Sequence, residues 1–302
     1  MTNTSNMPIK LLDSHPFPEI SVAVLRGVSF AANAAGAQWF VGGATARDIL
    51  TTHRFGIEQS RATADVDIGV SIGSWQGDRA LRATLVATGR FEQSDEAQRL
   101  NYVVPGIEHR MWLDIVPFGG IEEDGEREIG WPPDGAVRMN VAGFEEALQA
   151  ALEIELASDL VVLVVSLPAL AMLKIIAWRD RHTQHARDAT DLRFLLAKYA
   201  EAGNHDRLYA GDAMDLLEAH GFDPDIAGAA LLARDMASLV SPAIRAQVVE
   251  TLSPGEAYPR ILNQMLGGGH RLLLLDAEKP GMTEQLFAAF RTTLEQEFAA
   301  RS

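Results

Sequence analysis

The chain has 302 residues, 47% of them hydrophobic, which is enough for two globular domains with buried cores. A formal net charge of −15 argues against broad, non-specific nucleic-acid binding, though not against a local basic face. The absence of cysteine excludes disulfides and thiolate metal sites and points to a reducing cytoplasm, and the opening Met1-Thr-Asn-Thr-Ser-Asn-Met-Pro8 lacks the basic and apolar regions of a signal peptide.

Residues 19–37 read as a helix that is small and apolar on most faces, and 38–41 as a short strand. Gly42-Gly43 then ends the apolar run Trp39-Phe40-Val41 and opens a helix over 43–52. Residues 65–70 form a strand, 78–88 a helix, and 99–104 with 110–118 an antiparallel pair turning at Pro105-Gly106. The stretch 119–140 reads as a long loop holding Trp131-Pro132-Pro133-Asp134, with a short strand near Val137. Residues 151–156 and 160–165 form a hairpin joined at Ser158-Asp159. The segment 160–178 is almost wholly apolar and about as long as a bilayer span. Ser166, Pro168 and Lys174 interrupt it, and the proline divides a buried strand from a helix starting near Leu167. Beyond that point the texture becomes helix after helix: 167–181, 186–202, 207–220, 224–239, 242–252 and 283–299. A domain boundary therefore falls near Leu167.

Three acids carry the chemistry. In Ala64-Asp-Val-Asp-Ile-Gly-Val70 the alternation places Asp65 and Asp67 on one strand face, about 7 Å apart, where they repel each other and favour no apolar core. A hard divalent cation is the usual partner for such a pair; a solvated pair is the plain alternative. Asp114, in Met111-Trp-Leu-Asp-Ile-Val116, repeats the arrangement with Leu113 and Ile115 on the opposite side. Three carboxylates on adjacent strands suffice to hold two Mg²⁺ ions, the apparatus of in-line phosphoryl or nucleotidyl transfer. The Gly42-Gly43 turn lets backbone N–H groups approach a triphosphate. Thr45 and Arg47, in the first turns of the next helix, are placed to meet phosphate oxygens, or Arg47 pairs with a carboxylate.

The order Val41-Gly42-Gly43, then Asp65-Val66-Asp67, then Asp114 resembles the nucleotidyltransferase superfamily that includes the DNA polymerase β fold. Within it the chain is similar to predicted bacterial nucleotidyltransferases of the AbiEii toxin type. Arg61-Ala62-Thr63 fits their Arg-x-Thr ahead of the acids, with a salt bridge to Asp65 or Asp67 as the alternative role for Arg61. Lys174 followed by Arg187-Asp188-Ala-Thr-Asp191 matches their lysine and Lys/Arg-Asp-x-x-Asp segment. Gly43-Ala-Thr-Ala-Arg-Asp48 also resembles the opening of CCA-adding enzymes. The separation between Gly43 and Asp65 exceeds that of the shortest members, so an inserted loop across 53–61 is implied.

The resemblance implies an α+β fold: a nucleotidyltransferase domain over 1–166, its mixed β-sheet flanked by helices, then an all-helical domain over 167–302 completing an NTP cleft. It implies Mg²⁺-dependent transfer of an NMP from NTP to an acceptor hydroxyl, with Asp65, Asp67 and Asp114 as catalytic metal ligands for two Mg²⁺ ions, Mn²⁺ being an alternative. Gly42, Gly43, Thr45, Arg47, Arg61, Lys174, Asp188 and Asp191 are its NTP-binding set. The acceptor is a tRNA 3′ end if the chain is toxin-like and has an antitoxin partner, or else a small-molecule or protein hydroxyl. A non-catalytic nucleotide-binding protein of the same fold is the rival from another class. Lys174 amid Leu173, Ile175 and Ile176 places its ammonium at a phosphate, or snorkels to solvent. Arg179, Arg181, Arg187, Arg193 and Lys198 form an RNA-holding face, or pair with the acids around them.

Overall fold

The computed structural model describes residues 7–58, 65–104, 110–123, 127–253, 255–267 and 279–301. Two compact units emerge, Met1–Ser166 and Leu167–Ser302. The first is built on a mixed eight-stranded sheet: β1 (Ile9–Lys10), β2 (Trp39–Val41), β3 (Asp65–Ser71), β4 (Phe91–Gln93), β5 (Arg99–Val103), β6 (Arg110–Phe118), β9 (Leu152–Ala157) and β10 (Leu160–Val164). Their spatial order is β1-β9-β10-β2-β3-β6-β5-β4, with β3 and β6 parallel and β5 and β6 antiparallel. The turn expected at Pro105-Gly106 lies outside the described residues.

Alternation gives the central strands two different faces. Val66, Ile68, Val70, Leu113 and Ile115 point one way and are buried. The other face is split along its length. At the start of β3 and β6 it carries Asp65, Asp67, Trp112 and Asp114. Farther along it is covered by a cluster of Phe40, Phe118 and Phe144, with ring centroids 5.6–6.0 Å apart. Gly69 sits beneath that cluster, where a Cβ would lie 2.5 Å from the Phe40 ring. Bulk at one end of the face thus leaves the acids the other end.

Helix α1 (Glu19–Ala35) buries Val24, Leu25, Val28, Ala31 and Ala32 and ends on Gly36 in the left-handed region, φ 62°. Helix α2 is shorter than its sequence suggests: it runs Gly43–Asp48 and widens into a π-helical turn, Ile49–His53. Helix α3 (Trp75–Ala87) starts a turn earlier than expected, because Ser74 accepts a hydrogen bond from the Gly77 N–H and caps it. The stretch read as loop holds a second sheet, β7 (Glu128–Gly130) against β8 (Arg138–Asn140), and α4 (Phe144–Gln149) follows.

The second unit is helical: α5 (Leu167–Arg181), α6 (Arg187–Lys198), α7 (His205–Ala210), α8 (Met214–Ala219), α9 (Pro224–Leu239), α10 (Pro242–Leu252), α11 (Ala257–Leu266) and α12 (Met282–Ala300). The small residues Ala229, Ala230 and Ala233 of α9 lie fully buried, and α12 packs on that helix with Phe287, Phe290 and Leu294 also in the core. The expected 207–220 helix is broken at Gly211, where a Cβ would come within 2.8 Å of Arg207 Cα. The sequence reading missed α11, since Pro259 in its first turn reads as a breaker although prolines are tolerated there. Residues 160–178 divide into β10 and α5 at the proline. Among the described residues no helix is long and apolar enough to cross a membrane.

Candidate active site

Register brings the three acids together. Asp67 stands beside Asp114 and Asp65 beside Trp112 on the parallel pair β3–β6. One oxygen from each of Asp65, Asp67 and Asp114 lies within 4.8 Å of the others, and all three residues are half-buried. The Gly-Gly turn is fastened to the same strand: Gly42 N–H donates to the Asp67 carbonyl at 2.8 Å, and Thr45 Oγ1 donates to the Asp65 carbonyl at 2.8 Å. Gly43 has φ +59°, and a methyl there would fall onto the Asp67 side chain, 2.6 Å from its Cγ. Only glycine admits both the backbone angle and the carboxylate. The Gly42 amide is therefore spent on Asp67.

Arg99, from β5, was not anticipated. It stands opposite Asp114 and forks onto it, Nε to Oδ1 at 2.7 Å and Nη2 to Oδ2 at 2.8 Å, while Nη1 donates to Glu96 at 3.0 Å. The hydrogen bond to Asp114 holds the guanidinium above its ordinary pKa despite partial burial. A two-residue turn at Pro105-Gly106 would have set Arg99 opposite Trp112; the observed register shifts it by two onto the acid. The three-carboxylate set still suits a hard divalent ion, since it is all oxygen and each carboxylate oxygen offers a second lone pair beside the one that Arg99 uses.

The remaining candidates disperse. Thr45 is buried, its hydroxyl proton committed to β3. Arg47 is 6% exposed and pairs with its neighbour Asp48, Nε to Oδ1 at 2.9 Å. Arg61 lies outside the described residues. Trp131 packs against Trp75, ring centroids 5.4 Å apart, and against the guanidinium of Arg82, 5.7 Å away. Arg82 shares its Nε–H between the two carboxylate oxygens of buried Asp78, at 3.0 and 2.9 Å, and its Nη2 donates to the Ile115 carbonyl at 3.1 Å, bracing β6 next to Asp114. Burial outweighs Arg82 and raises the Asp78 pKa.

In the helical unit Lys174, Asp188 and Asp191 do converge. Lys174 Nζ lies 3.3 Å from Asp188 Oδ1 and 2.5 Å from Asp191 Oδ2, with 12% of its side chain exposed. Burial opposes the ammonium, but Asp191 and Asp188 outweigh it and hold the pKa above the usual lysine value. Asp188 also receives a fork from Arg181, Nε to Oδ2 at 2.7 Å; burial would raise its pKa, yet Arg181 and Lys174 pull it below the carboxylate range. The arginine on Asp188 is thus Arg181, from α5. Nor do the five basic residues form one solvent face: Arg193 is fully buried in α6, Arg179 pairs with Glu250 and Lys198 with Glu201.

The site thus combines three acids on a mixed sheet with a Gly-Gly turn hydrogen-bonded to β3, in a chain whose second unit is helical. A family model described as nucleotidyl transferase AbiEii toxin, type IV TA system, matches residues 24–294, and the chain belongs to that family. Similar solved structures include the antibiotic-resistance factor ANT(2'')-Ia, at 16% identity over 68% of this chain and 98% of that one, TM-score 0.36. JHP933 from Helicobacter pylori is 13% identical over 96% of each chain, TM-score 0.40. A CCA-adding enzyme in complex with ATP is 12% identical over 94% of this chain and 83% of that one, TM-score 0.24. Curated protein sequences yield no match.

Proposed function

We propose that the chain moves an NMP from an NTP to the 3′-hydroxyl of an RNA acceptor of the tRNA kind, and that it acts as a toxin held in check by an antitoxin. The observation that carries this reading is the convergence of Asp65, Asp67 and Asp114 against a turn that only glycine can form. Asp65, Asp67 and Asp114 would hold Mg²⁺, which when bound would supply Lewis acidity to lower the acceptor hydroxyl's pKa and offset phosphate charge. The acceptor oxygen attacks the α-phosphorus in line, the bond to the β-phosphate oxygen breaks, pyrophosphate leaves with the electron pair, and the hydroxyl proton passes to solvent. Asp67, pinned by Gly43, fixes where the triphosphate sits, while Arg99 orients Asp114. Lys174, set by Asp188 and Asp191, keeps the role that the family pattern gives it. Arg61 keeps the phosphate-side role that the family pattern gives it.

The antitoxin partner rests on the family description, a type IV toxin–antitoxin system. A second reading, transfer to a small-molecule or protein hydroxyl, is favoured by the −15 charge and by the carboxylate partners already engaged by Arg179, Arg181 and Lys198. Incubating the protein with each labelled NTP, Mg²⁺ and either total RNA or RNA-free lysate separates the two. Label in RNA supports the first reading, and label only in the RNA-free fraction supports the second.

A further inference from the structure

The acid-bearing face continues past Asp114. Across β3, β6 and β5 the register forms two rows, Asp67 with Asp114 and Arg99, and Asp65 with Trp112 and Asn101. The Gly42-Gly43 turn closes the Asp67 side. If the nucleotide lies against that turn, the β5 side is left to the acceptor.

Trp112 stands on that side with 41% of its surface exposed, whereas Trp39, Trp131 and Trp178 are each 9% or less. Its strand neighbours Leu113 and Ile115 are fully buried. The Arg99 guanidinium lies over its ring, 4.6 Å from the centroid, and is fixed there by its bonds to Asp114 and Glu96. The part of the indole that stays exposed beside the three acids offers a rigid π surface of the kind on which bases stack, and the cation that braces it is already desolvated in part.

We propose that Trp112, braced by Arg99, is the stacking subsite for the terminal nucleobase of a polynucleotide acceptor, and that stacking sets the 3′-hydroxyl beside Asp114. The proposal rests on the nucleotidyl-transfer reading of the acids. It commits the acceptor to a nucleic-acid end: a sugar, serine or threonine hydroxyl carries no flat aromatic ring to place on the indole, and a tyrosine acceptor would put label in protein rather than in RNA.

The test uses the full chain, Mg²⁺, labelled NTP and two short single-stranded RNAs identical except that one lacks the base of its 3′-terminal nucleotide. Base–aromatic stacking contributes about 1–3 kcal/mol, so the wild type should show a KM for the abasic RNA higher by roughly 5-fold to 150-fold. Trp112→Ala should erase that difference without shifting the KM for NTP, and Trp112→Phe should keep most of it. Indole emission should be quenched by the intact RNA in the wild type and less so in Trp112→Phe. The proposal is overturned if the wild type treats both RNAs alike, if Trp112→Ala still discriminates, or if Trp112→Ala raises only the KM for NTP, which would assign the indole to the incoming base. Label in a small molecule or protein but in no RNA overturns it too, while leaving nucleotidyl transfer intact. No metal-dependent NTP consumption with any acceptor removes the transfer reading itself.

Discussion

Gly43 and the Asp67 carboxylate share one small volume, so the turn and the acid are a single feature. Gly43→Ala puts an L side chain at φ +59°, costing about 1–2 kcal/mol, and pushes Asp67 off its place. We expect a modest fall in melting temperature and a loss of transfer comparable to that of Asp67→Ala. Melting curves and initial rates check this, and a Gly43→Ala protein with wild-type turnover would show that the Asp67 position is immaterial. Arg99→Met leaves Asp114 without its fork; the expected outcome is weaker ordering of the acid and a lower kcat, with folding largely kept. Calorimetric titration of Mn²⁺ into the variant and the wild type would register the altered site without relying on activity.

At the scale of elements, the α5–α6 cluster ties stability to pH. The Asp188 pKa lies below its ordinary 3.8 in the folded chain, so its contribution is complete above that value and is lost as pH falls through the lower folded one. Lys174 has the opposite sign: its contribution is complete below the unfolded value of 10.5 and is lost only as pH rises through the higher folded value. Thermal melts of Asp188→Asn should therefore depend less on pH than wild type between about pH 5 and pH 2. An identical acid profile would mean that the ion pairs contribute nothing. Lys174→Ala leaves Asp188 and Asp191 facing each other with one cation fewer, and removing one member of a buried ion pair costs about 3–5 kcal/mol. Lys174→Arg is expected to fold better than Lys174→Ala, and kinetics on it separate a phosphate role from a structural one.

The acids were legible because period-two alternation and a glycine pair survive in any strand–turn–helix. The boundary near Leu167 was visible as a change of texture at a proline. Arg99 was not legible, since a register slip of two decides whether it meets Trp112 or Asp114, and that depends on a turn whose centre the sequence leaves open. Arg193 was misread for a different reason: α6 buries both sides, Leu192, Phe194, Leu195 and Leu196 with it, so helical spacing gave no solvent face to assign. Arg193→Ala is accordingly expected to lower stability and leave RNA affinity alone.

Over the whole molecule, the −15 charge leaves few cations to spare for an RNA backbone. With Arg193 buried and Arg179, Arg181 and Lys198 engaged by carboxylates, the salt dependence of RNA binding should be shallow, corresponding to about three phosphate contacts or fewer. Titration across salt concentrations measures this directly; a steep slope would locate a basic face elsewhere on the chain. The central claim, that Asp65, Asp67 and Asp114 form a metal-dependent nucleotidyl-transfer site, is tested most directly by one measurement. Pyrophosphate release is followed from each NTP with total RNA, with and without Mg²⁺, for wild type, Asp67→Ala and Asp114→Ala. The account predicts release by the wild type only with Mg²⁺, and a fall of at least about 10³-fold, near 4 kcal/mol of barrier, in both variants. Release that persists without a divalent ion, or near-normal rates in both variants, would contradict it.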